Sequence, residues 1–334
     1  MDVFLDPRFD EVYRRDPLVL VDVGARGGLR KNWLPARRHL TLVGFEPEER
    51  AFGQLEQRST AGDVTTTFFN RALHNSRGSL RLIVARDGGL SSMFEPDRTF
   101  IDLFPDADRF DTVGALQIEA DTLDNQLSAH NVPDVDFIKV DTQGSELFIL
   151  EGSARALASS VLGVEVEVEF APIYKEQPLF ADVDRYLRGC GYVLFDLRPC
   201  FWKRSAGRTL GGPYGQIIWA DALYLKSLPA LRAALAPLDP ARRKSKVLKA
   251  ISVSLLYGYY DYAMEILHEA GGGFSDDEQD AIERHLRLAS APSGVWASFP
   301  GRRQVAALFR RLWKIFVPRD DGWSVSRSGL GNHR

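Results

Sequence analysis

Residues 18–28 read Leu-Val-Leu-Val-Asp-Val-Gly-Ala-Arg-Gly-Gly, and this stretch decides the fold. Leu18–Val23 is an almost continuous apolar run, which is typical of a strand buried on both faces of a parallel sheet. Gly24, Gly27 and Gly28 follow it and permit a tight turn and a close approach of the main chain to a ligand. In an open α/β sheet the ligand site lies beyond the carboxyl ends of the strands. We therefore expect a ligand to bind where this first strand ends.

A second apolar run, 40–45, ends in Glu46. A glycine-rich turn after the first strand and an acid after the second suit a nucleoside, because the carboxylate can accept the ribose hydroxyls. The spacing alone does not distinguish a dinucleotide from S-adenosylmethionine. Arg26, however, occupies the position of the second glycine in the Gly-x-Gly-x-x-Gly fingerprint of dinucleotide-binding proteins. The sequence therefore disfavours a nicotinamide cofactor.

Composition excludes several classes of protein. The chain has 334 residues and a net charge of −3, which gives no case for nucleic-acid binding. Two cysteines, Cys190 and Cys200, are too few for a disulfide framework, and no cluster of cysteine and histidine has the spacing of a zinc site. The N-terminus carries charges where a signal peptide needs an apolar core, and no run reaches the ~18 apolar residues of a membrane span. We expect reduced thiols and a cytoplasmic protein. We assign no metal-ligating residue, and the sequence does not fix whether a metal ion is required.

Strands alternate with helices up to residue 226, which predicts an α/β fold with a mostly parallel, doubly wound sheet of seven strands. No helix separates 192–197 from 216–225, so these two strands are expected to form an antiparallel edge. The segment 86–112 is too long for an ordinary connection. It predicts a loop that covers the site.

A charged pair is expected in the strand 137–140, which contains Lys139 and ends at Asp141. A lysine inside a buried strand is costly unless it is paired, so a carboxylate partner should lie beside it. Asp141 follows at the mouth of the sheet, where it can reach a transferred group or a substrate hydroxyl. A purely structural ion pair explains the lysine equally well.

Two further features could supply a base. Alternation of valine and glutamate in 163–170 places Glu165, Glu167 and Glu169 on one face of a strand. That face is either solvated, as at a sheet edge, or it brings Glu167 or Glu169 to the site as a base, a substrate ligand or a metal ligand. His74 lies after the strand 65–69 at the same end of the sheet, and histidine is the commonest general base.

The pattern changes to helices after residue 227. We therefore divide the chain into an α/β domain (1–227), a helical appendage (228–317) and a disordered tail (318–334). Within the appendage, 302–317 combines an apolar face with a cationic one. Such a helix packs on the main domain or docks on a partner protein or an anionic membrane surface. The sequence does not fix the oligomeric state.

Five motifs in order resemble the FkbM-type methyltransferases. They are Val21-Asp-Val-Gly-Ala-Arg-Gly-Gly, Gly44-Phe-Glu-Pro, Arg71-Ala-Leu, Thr122-Leu-Asp and Phe137-Ile-Lys-Val-Asp-Thr-Gln-Gly-Ser-Glu. The resemblance covers residues 18–226. It implies a class I, Rossmann-like methyltransferase fold with S-adenosylmethionine as cofactor, acting on hydroxyls and often on sugars of glycans or secondary metabolites.

The resemblance also implies roles for single residues. Asp22, Gly24 and Ala25 would line the methionine part of the cofactor, Glu46 would hold the ribose hydroxyls, Ala72 would lie near the adenine and Asp141 near the transferred methyl group. Gly28 belongs to the same cofactor-binding turn.

Two positions depart from the family pattern. Arg26 stands where the family more often has asparagine, and it would bind either the cofactor carboxylate or an acidic acceptor. Thr142-Gln143 replaces a Val-Glu pair, which removes a carboxylate beside Gly144.

We therefore expect O-methylation of a hydroxyl on a sugar, a glycan or a glycosylated small molecule. Asp141, Glu167 or His74 would receive the hydroxyl proton. Two alternatives remain at this point: a nicotinamide-dependent oxidoreductase, and a non-catalytic docking module that keeps the fold. The missing fingerprint glycine disfavours the first, and the intact Asp22 and Glu46 disfavour the second.

Overall fold

The computed structural model describes residues 3–25, 28–59, 64–132, 134–212, 214–290, 300–316, 322–327 and 329–332, without the side chains at 56, 58, 59 and 313–316. The strands are β1 (Leu18–Val23), β2 (Leu40–Phe45), β3 (Thr65–Phe69), β4 (Ala72–Leu73), β5 (Gly78–Ala85), β6 (Thr112–Asp121), β7 (Phe137–Val140), β8 (Gly163–Glu169), β9 (Tyr192–Trp202), β10 (Gln216–Lys226) and β11 (Ser324–Ser326). The helices are α1 (Pro7–Arg15), α2 (Glu49–Ser59), α3 (Arg98–Ile101), α4 (Leu123–Ala129), α5 (Glu146–Glu151), α6 (Ala154–Ser159), α7 (Phe180–Gly189), α8 (Leu228–Leu235), α9 (Pro240–Leu256), α10 (Tyr260–Ala270), α11 (Asp276–Ser290) and α12 (Arg302–Phe316).

The central sheet has the strand order β11-β9-β10-β8-β7-β1-β2-β3. The strands β3, β2, β1, β7 and β8 run parallel, and β10 and β9 add an antiparallel edge. All six residues of β1 are buried, as its apolar sequence predicts. The predicted α/β fold, with a mostly parallel sheet of seven strands and an antiparallel edge, is confirmed.

Within the segment 318–334, which the sequence predicts to be disordered, the described residues include an eighth strand of the sheet. Ser324–Ser326 pairs with the outer edge of β9, and Trp323 packs its ring 5.5 Å from that of Trp202. The edge strand offers unpaired main-chain groups, and the tryptophan supplies apolar contact. Neither is visible in the polar composition of the tail.

A second sheet and the segment 86–112 cover one end of the central sheet. The small sheet has the order β4-β6-β5. The covering segment contains α3 and two short 3₁₀ helices, and isolated bridges tie Ser92 to Ile83 and Pro96 to Tyr174. The predicted covering loop is therefore an ordered element.

The helices α8 to α11 pack on one face of the central sheet. Their buried residues form one apolar cluster with α1 and with Leu18, Leu20 and Leu225 of the strands. Asp136 is fully buried, and its carboxylate accepts hydrogen bonds from the Val19 amide (2.9 Å) and Lys246 Nζ (2.5 Å). These helices are thus continuous with the core, while the boundary at residue 227 stays a prediction.

No helix among the described residues is long and apolar enough to span a membrane. Both cysteines, Cys190 and Cys200, are free thiols.

Candidate active site

A cavity of about 360 Å³ opens at the carboxyl ends of β1, β2 and β7. This volume is in the range of small-molecule sites. Its walls include the strand ends Val23 and Phe45, the apolar side chains Leu80 and Ile118 of the small sheet, and Ser91 of the covering segment. The sheet topology therefore places the cavity where the sequence predicts a ligand.

Gly24 lets three strands meet at the cavity floor. It adopts φ = +79°, and a Cβ there would lie 2.1 Å from the carbonyl oxygen of Asp141. Its amide donates a hydrogen bond to Phe45 O at 3.0 Å, while the Asp141 amide donates to Val23 O at 3.1 Å. Only glycine combines this backbone conformation with this closeness. Gly28, also at positive φ, lines the cavity with it.

Lys139 has the carboxylate partner that the sequence predicts. Its Nζ lies 2.9 Å from Asp22 Oδ1 and 3.8 Å from Asp141 Oδ2. Burial alone would lower the pKa of Lys139, but the charges of Asp22 and Asp141 outweigh it, and the pKa is raised. Lys139 and Asp141 line the cavity, whereas Asp22 is buried and is not one of the lining residues.

Glu46 lies at the end of β2 on another wall of the cavity. Its side chain is buried, and Oε1 accepts a hydrogen bond from the Glu48 amide at 3.0 Å. Ala72 and Arg71 line the wall beside it. A carboxylate fixed in this way can accept hydroxyl groups of a ligand.

The remaining predicted residues occupy different positions. Ala25 is buried and does not line the cavity, and Arg26 lies outside the described residues. His74 is not among the lining residues either, because its ring stacks on that of Phe148 at 5.0 Å. Burial lowers the pKa of His74 and favours the neutral imidazole.

The three glutamates of β8 are buried, so the interpretation of their face as solvated is wrong. β8 lies between β7 and β10 inside the sheet, and the register places Asp221 opposite Glu167. Burial, reinforced by the charges of neighbouring carboxylates, raises the pKa of Glu167 and Glu169 well above the usual value for glutamate.

Gln143 connects Glu167 to the cavity. Its Nε2 donates to Glu167 Oε1 at 2.6 Å, and its Oε1 accepts from Tyr174 OH at 3.1 Å. Ser92 of the covering segment donates to the Gln143 carbonyl oxygen at 2.6 Å. Gln143 lines the cavity with φ = +61°, whereas Glu167 lies behind it. The loop after β7 is thus joined to both the sheet and the cover.

Glu146, the first residue of α5, holds the loop after β7 through its side chain. Its carboxylate accepts hydrogen bonds from the Thr142 amide (2.7 Å), Thr142 Oγ1 (3.0 Å) and the Gly144 amide (2.9 Å). Burial nevertheless raises the pKa of Glu146 to about 7. A carboxyl with this pKa exchanges its proton near neutral pH.

Arg30 lines the cavity and was missed by the sequence reasoning. It forms ion pairs with Glu165 and with Asp221, which Arg198 also contacts. Tyr257, at the end of α9, donates a hydrogen bond to Glu165 Oε2 at 2.7 Å. The only signal in the sequence was the set of glutamates on one face of β8, which needs cations as partners.

Among the residues that the structure describes, no group of three or more His, Cys, Asp or Glu side chains has an arrangement that could hold a metal ion. The described lining of the cavity combines carboxylates, Arg30 and Arg71, amide and hydroxyl groups, and apolar side chains.

Comparison with protein families matches the methyltransferase FkbM domain to residues 22–194, which is more than half of the chain. No curated protein matches. Among solved structures, methyltransferase FkbM from Methylobacillus flagellatus KT is similar at 16% identity, over 63% of this chain and 44% of that chain, with a TM-score of 0.37. This chain thus spans less than half of that protein's length.

Two further solved structures are similar. Precorrin-6y C5,15-methyltransferase from Geobacter metallireducens GS-15 matches at 12% identity, over 65% of this chain and 87% of that chain, with a TM-score of 0.34. Magnesium protoporphyrin IX methyltransferase from Synechocystis PCC 6803, with bound S-adenosylmethionine, matches at 12% identity, over 66% of this chain and 78% of that chain, with a TM-score of 0.33.

Proposed function

Because the chain belongs to the FkbM family of S-adenosylmethionine-dependent methyltransferases, we propose that it methylates a hydroxyl of a sugar, a glycan or a glycosylated small molecule. The observation that carries this proposal is Asp141, which lines the cavity beside Lys139, with the Gln143–Glu167 hydrogen bond behind it. A carboxylate at this point can take the proton that a hydroxyl loses. The family assignment makes the chain a methyltransferase (EC 2.1.1) rather than an oxidoreductase or a non-catalytic module.

The cavity residues fit the cofactor. Gly24 and Gly28 line the cavity, and no described atom would lie within 4 Å of a Cβ at Gly28, so the main chain of this turn would approach the methionine part of the cofactor without a side chain between them. Glu46 would accept the ribose hydroxyls, and Ala72 would offer an apolar wall to the adenine. When bound, S-adenosylmethionine supplies an electrophilic methyl group on a sulfonium.

The protein's own contribution is to align the acceptor oxygen and to receive its proton. Asp141 is a partly exposed carboxylate that lines the cavity, and Lys139 Nζ lies 3.8 Å from its Oδ2. Glu167, buried behind Gln143, holds the amide that faces the cavity. We therefore assign the base to Asp141, and we assign a positioning role to Glu167.

The polar lining suits a polyhydroxyl acceptor. Arg30, Arg71, Ser91 and the adjacent pair Thr142 and Gln143 come from four segments and bring donors and acceptors to the cavity. Leu80 and Ile118 supply an apolar surface. Sugar recognition needs such a distribution of polar groups, because each hydroxyl must exchange its hydrogen bonds with water for bonds with the protein.

Turnover of S-adenosylmethionine with a panel of glycans and glycosylated small molecules tests the proposal. Mass spectrometry measures S-adenosylhomocysteine, and NMR locates the new methyl group. An O-methylated sugar supports the proposal, whereas methylation at nitrogen or carbon, or of acceptors without a sugar, refutes it.

Two variants test the residue assignments, each with a matched control. Asp141→Asn should retain cofactor affinity in calorimetry and lose turnover, while Asp134→Asn, an exposed aspartate before the same strand, should retain both. Wild-type turnover of Asp141→Asn would remove this residue from the reaction.

Glu46→Ala should weaken cofactor binding strongly, while Glu49→Ala, an exposed glutamate three residues later, should bind normally. Unchanged affinity of Glu46→Ala would exclude the ribose assignment.

A further inference from the structure

The helix α12 leaves an apolar surface exposed. Val305, Leu308, Phe309 and Leu312 are 40%, 56%, 65% and 41% exposed, respectively. Their spacing of three and four residues places them on one face of a helix. The expectation that this face packs on the main domain is therefore not met by the described side chains. The side chains of Trp313 and Phe316, which extend the same apolar pattern in the sequence, lie outside the described residues.

The charge of α12 has a single sign. The sequence of Arg302–Phe316 contains five cationic residues and no acidic residue, although the chain as a whole carries a net charge of −3. The rest of the chain therefore carries a net charge of −8. Arg303 and Arg310 fall on the face opposite the apolar one, and both are exposed. No residue of α12 lines the cavity of the site.

We propose that α12 is an interfacial helix that lies on an anionic lipid membrane, with its apolar face in the acyl boundary and its cations on the headgroups. A helix of this kind combines a strongly cationic face with Leu and Phe on the other. An anionic lipid surface complements five like charges, whereas a second copy of this helix carries charges of the same sign and adds no negative charge. Charge complementarity thus selects a membrane as the occupant.

The full-length protein can be tested by sedimentation with vesicles. Vesicles of phosphatidylcholine alone are compared with vesicles that contain phosphatidylglycerol, and size-exclusion chromatography with light scattering follows the oligomeric state. We expect binding to the anionic vesicles only, with an affinity that falls as salt is raised.

Two double variants separate the contributions of charge and apolar area. R310Q/R311Q should bind anionic vesicles about thirtyfold more weakly, since each cation near the surface contributes about a factor of five. The control R37Q/R38Q neutralises an exposed arginine pair of the 3₁₀ helix Lys31–His39 and should bind like wild type.

L308S/F309S should lose binding, while L210S/L288S removes apolar side chains of similar exposure elsewhere and should retain it. Circular dichroism confirms that each variant folds.

Three outcomes overturn the proposal. They are no binding of the wild type to anionic vesicles, equal binding to both kinds of vesicle, and unchanged binding of the α12 variants. Self-association or a protein contact that depends on Leu308 and Phe309, without vesicle binding, would assign this face to a protein partner instead.

Discussion

Gly24→Ala tests how the first turn builds the site. Gly24 and Gly28 both adopt positive φ, at +79° and +68°. They differ in the space available: a Cβ at Gly24 would lie 2.1 Å from Asp141 O, whereas at Gly28 it would meet no described atom within 4 Å. The pair of alanine variants therefore separates backbone strain from steric overlap.

The expected losses of stability follow from two costs, of which one is common to both variants and the other applies to one of them. An alanine in the left-handed region costs about 1–2 kcal/mol, and this cost applies to both variants. Overlap with a packed neighbour adds about 1–3 kcal/mol, and this cost applies only to Gly24→Ala. We therefore expect a loss of about 2–5 kcal/mol for Gly24→Ala and about 1–2 kcal/mol for Gly28→Ala.

Urea denaturation measures both free energies of unfolding. Because the overlapping atom belongs to Asp141, Gly24→Ala must also shift the proposed base, so its turnover should fall further than its stability explains. Equal free energies of unfolding for the two variants would refute the role assigned to the contact between the first turn and β7.

Three other predictions concern the buried charges. Lys139→Met removes the cation that pairs with the buried Asp22 among the described residues and should cost about 3–5 kcal/mol in urea denaturation. An unchanged midpoint would contradict the ion pair. Glu169 has a pKa raised by burial, so the folded state holds its proton more tightly and loses stability as pH rises above the unfolded value. Glu169→Gln should therefore gain more in melting temperature at pH 8 than at pH 5, and the reverse order would contradict the sign. Gln143→Glu replaces the amide that lies 2.6 Å from Glu167 Oε1 with a second carboxyl group. The melting temperature of this variant should therefore fall below that of the wild type by more at pH 8 than at pH 5. A difference that does not depend on pH would show that the two side chains separate.

The parts of the site that follow from local sequence could be predicted. The apolar run Leu18–Val23 and its glycines placed the cavity, Glu46 followed from its position after the second strand, and Lys139 required a carboxylate. Each prediction depends on a short segment whose hydrophobic periodicity, or whose free-energy cost of burying a charge, is evident without the rest of the chain.

The parts of the site that depend on pairing between distant segments could not be predicted from the sequence. Alternation in β8 gave the common face of its glutamates but not their burial, because this depends on which strands flank it. Arg30 and Tyr257 reach Glu165 from separate elements. The short strand at Ser324–Ser326 likewise depends on the edge of β9, more than 100 residues away.

Asp136 restricts how this fold could be recombined. Its buried carboxylate lies just before β7, within the α/β domain, while the cations that neutralise it, Lys246 and Lys249, belong to α9. A chimera that joined residues 1–227 to foreign helices would leave this carboxylate without a counter-ion unless the donor brought cations to the same two positions. The gene segments on either side of residue 227 are therefore expected to be exchangeable only as a matched pair.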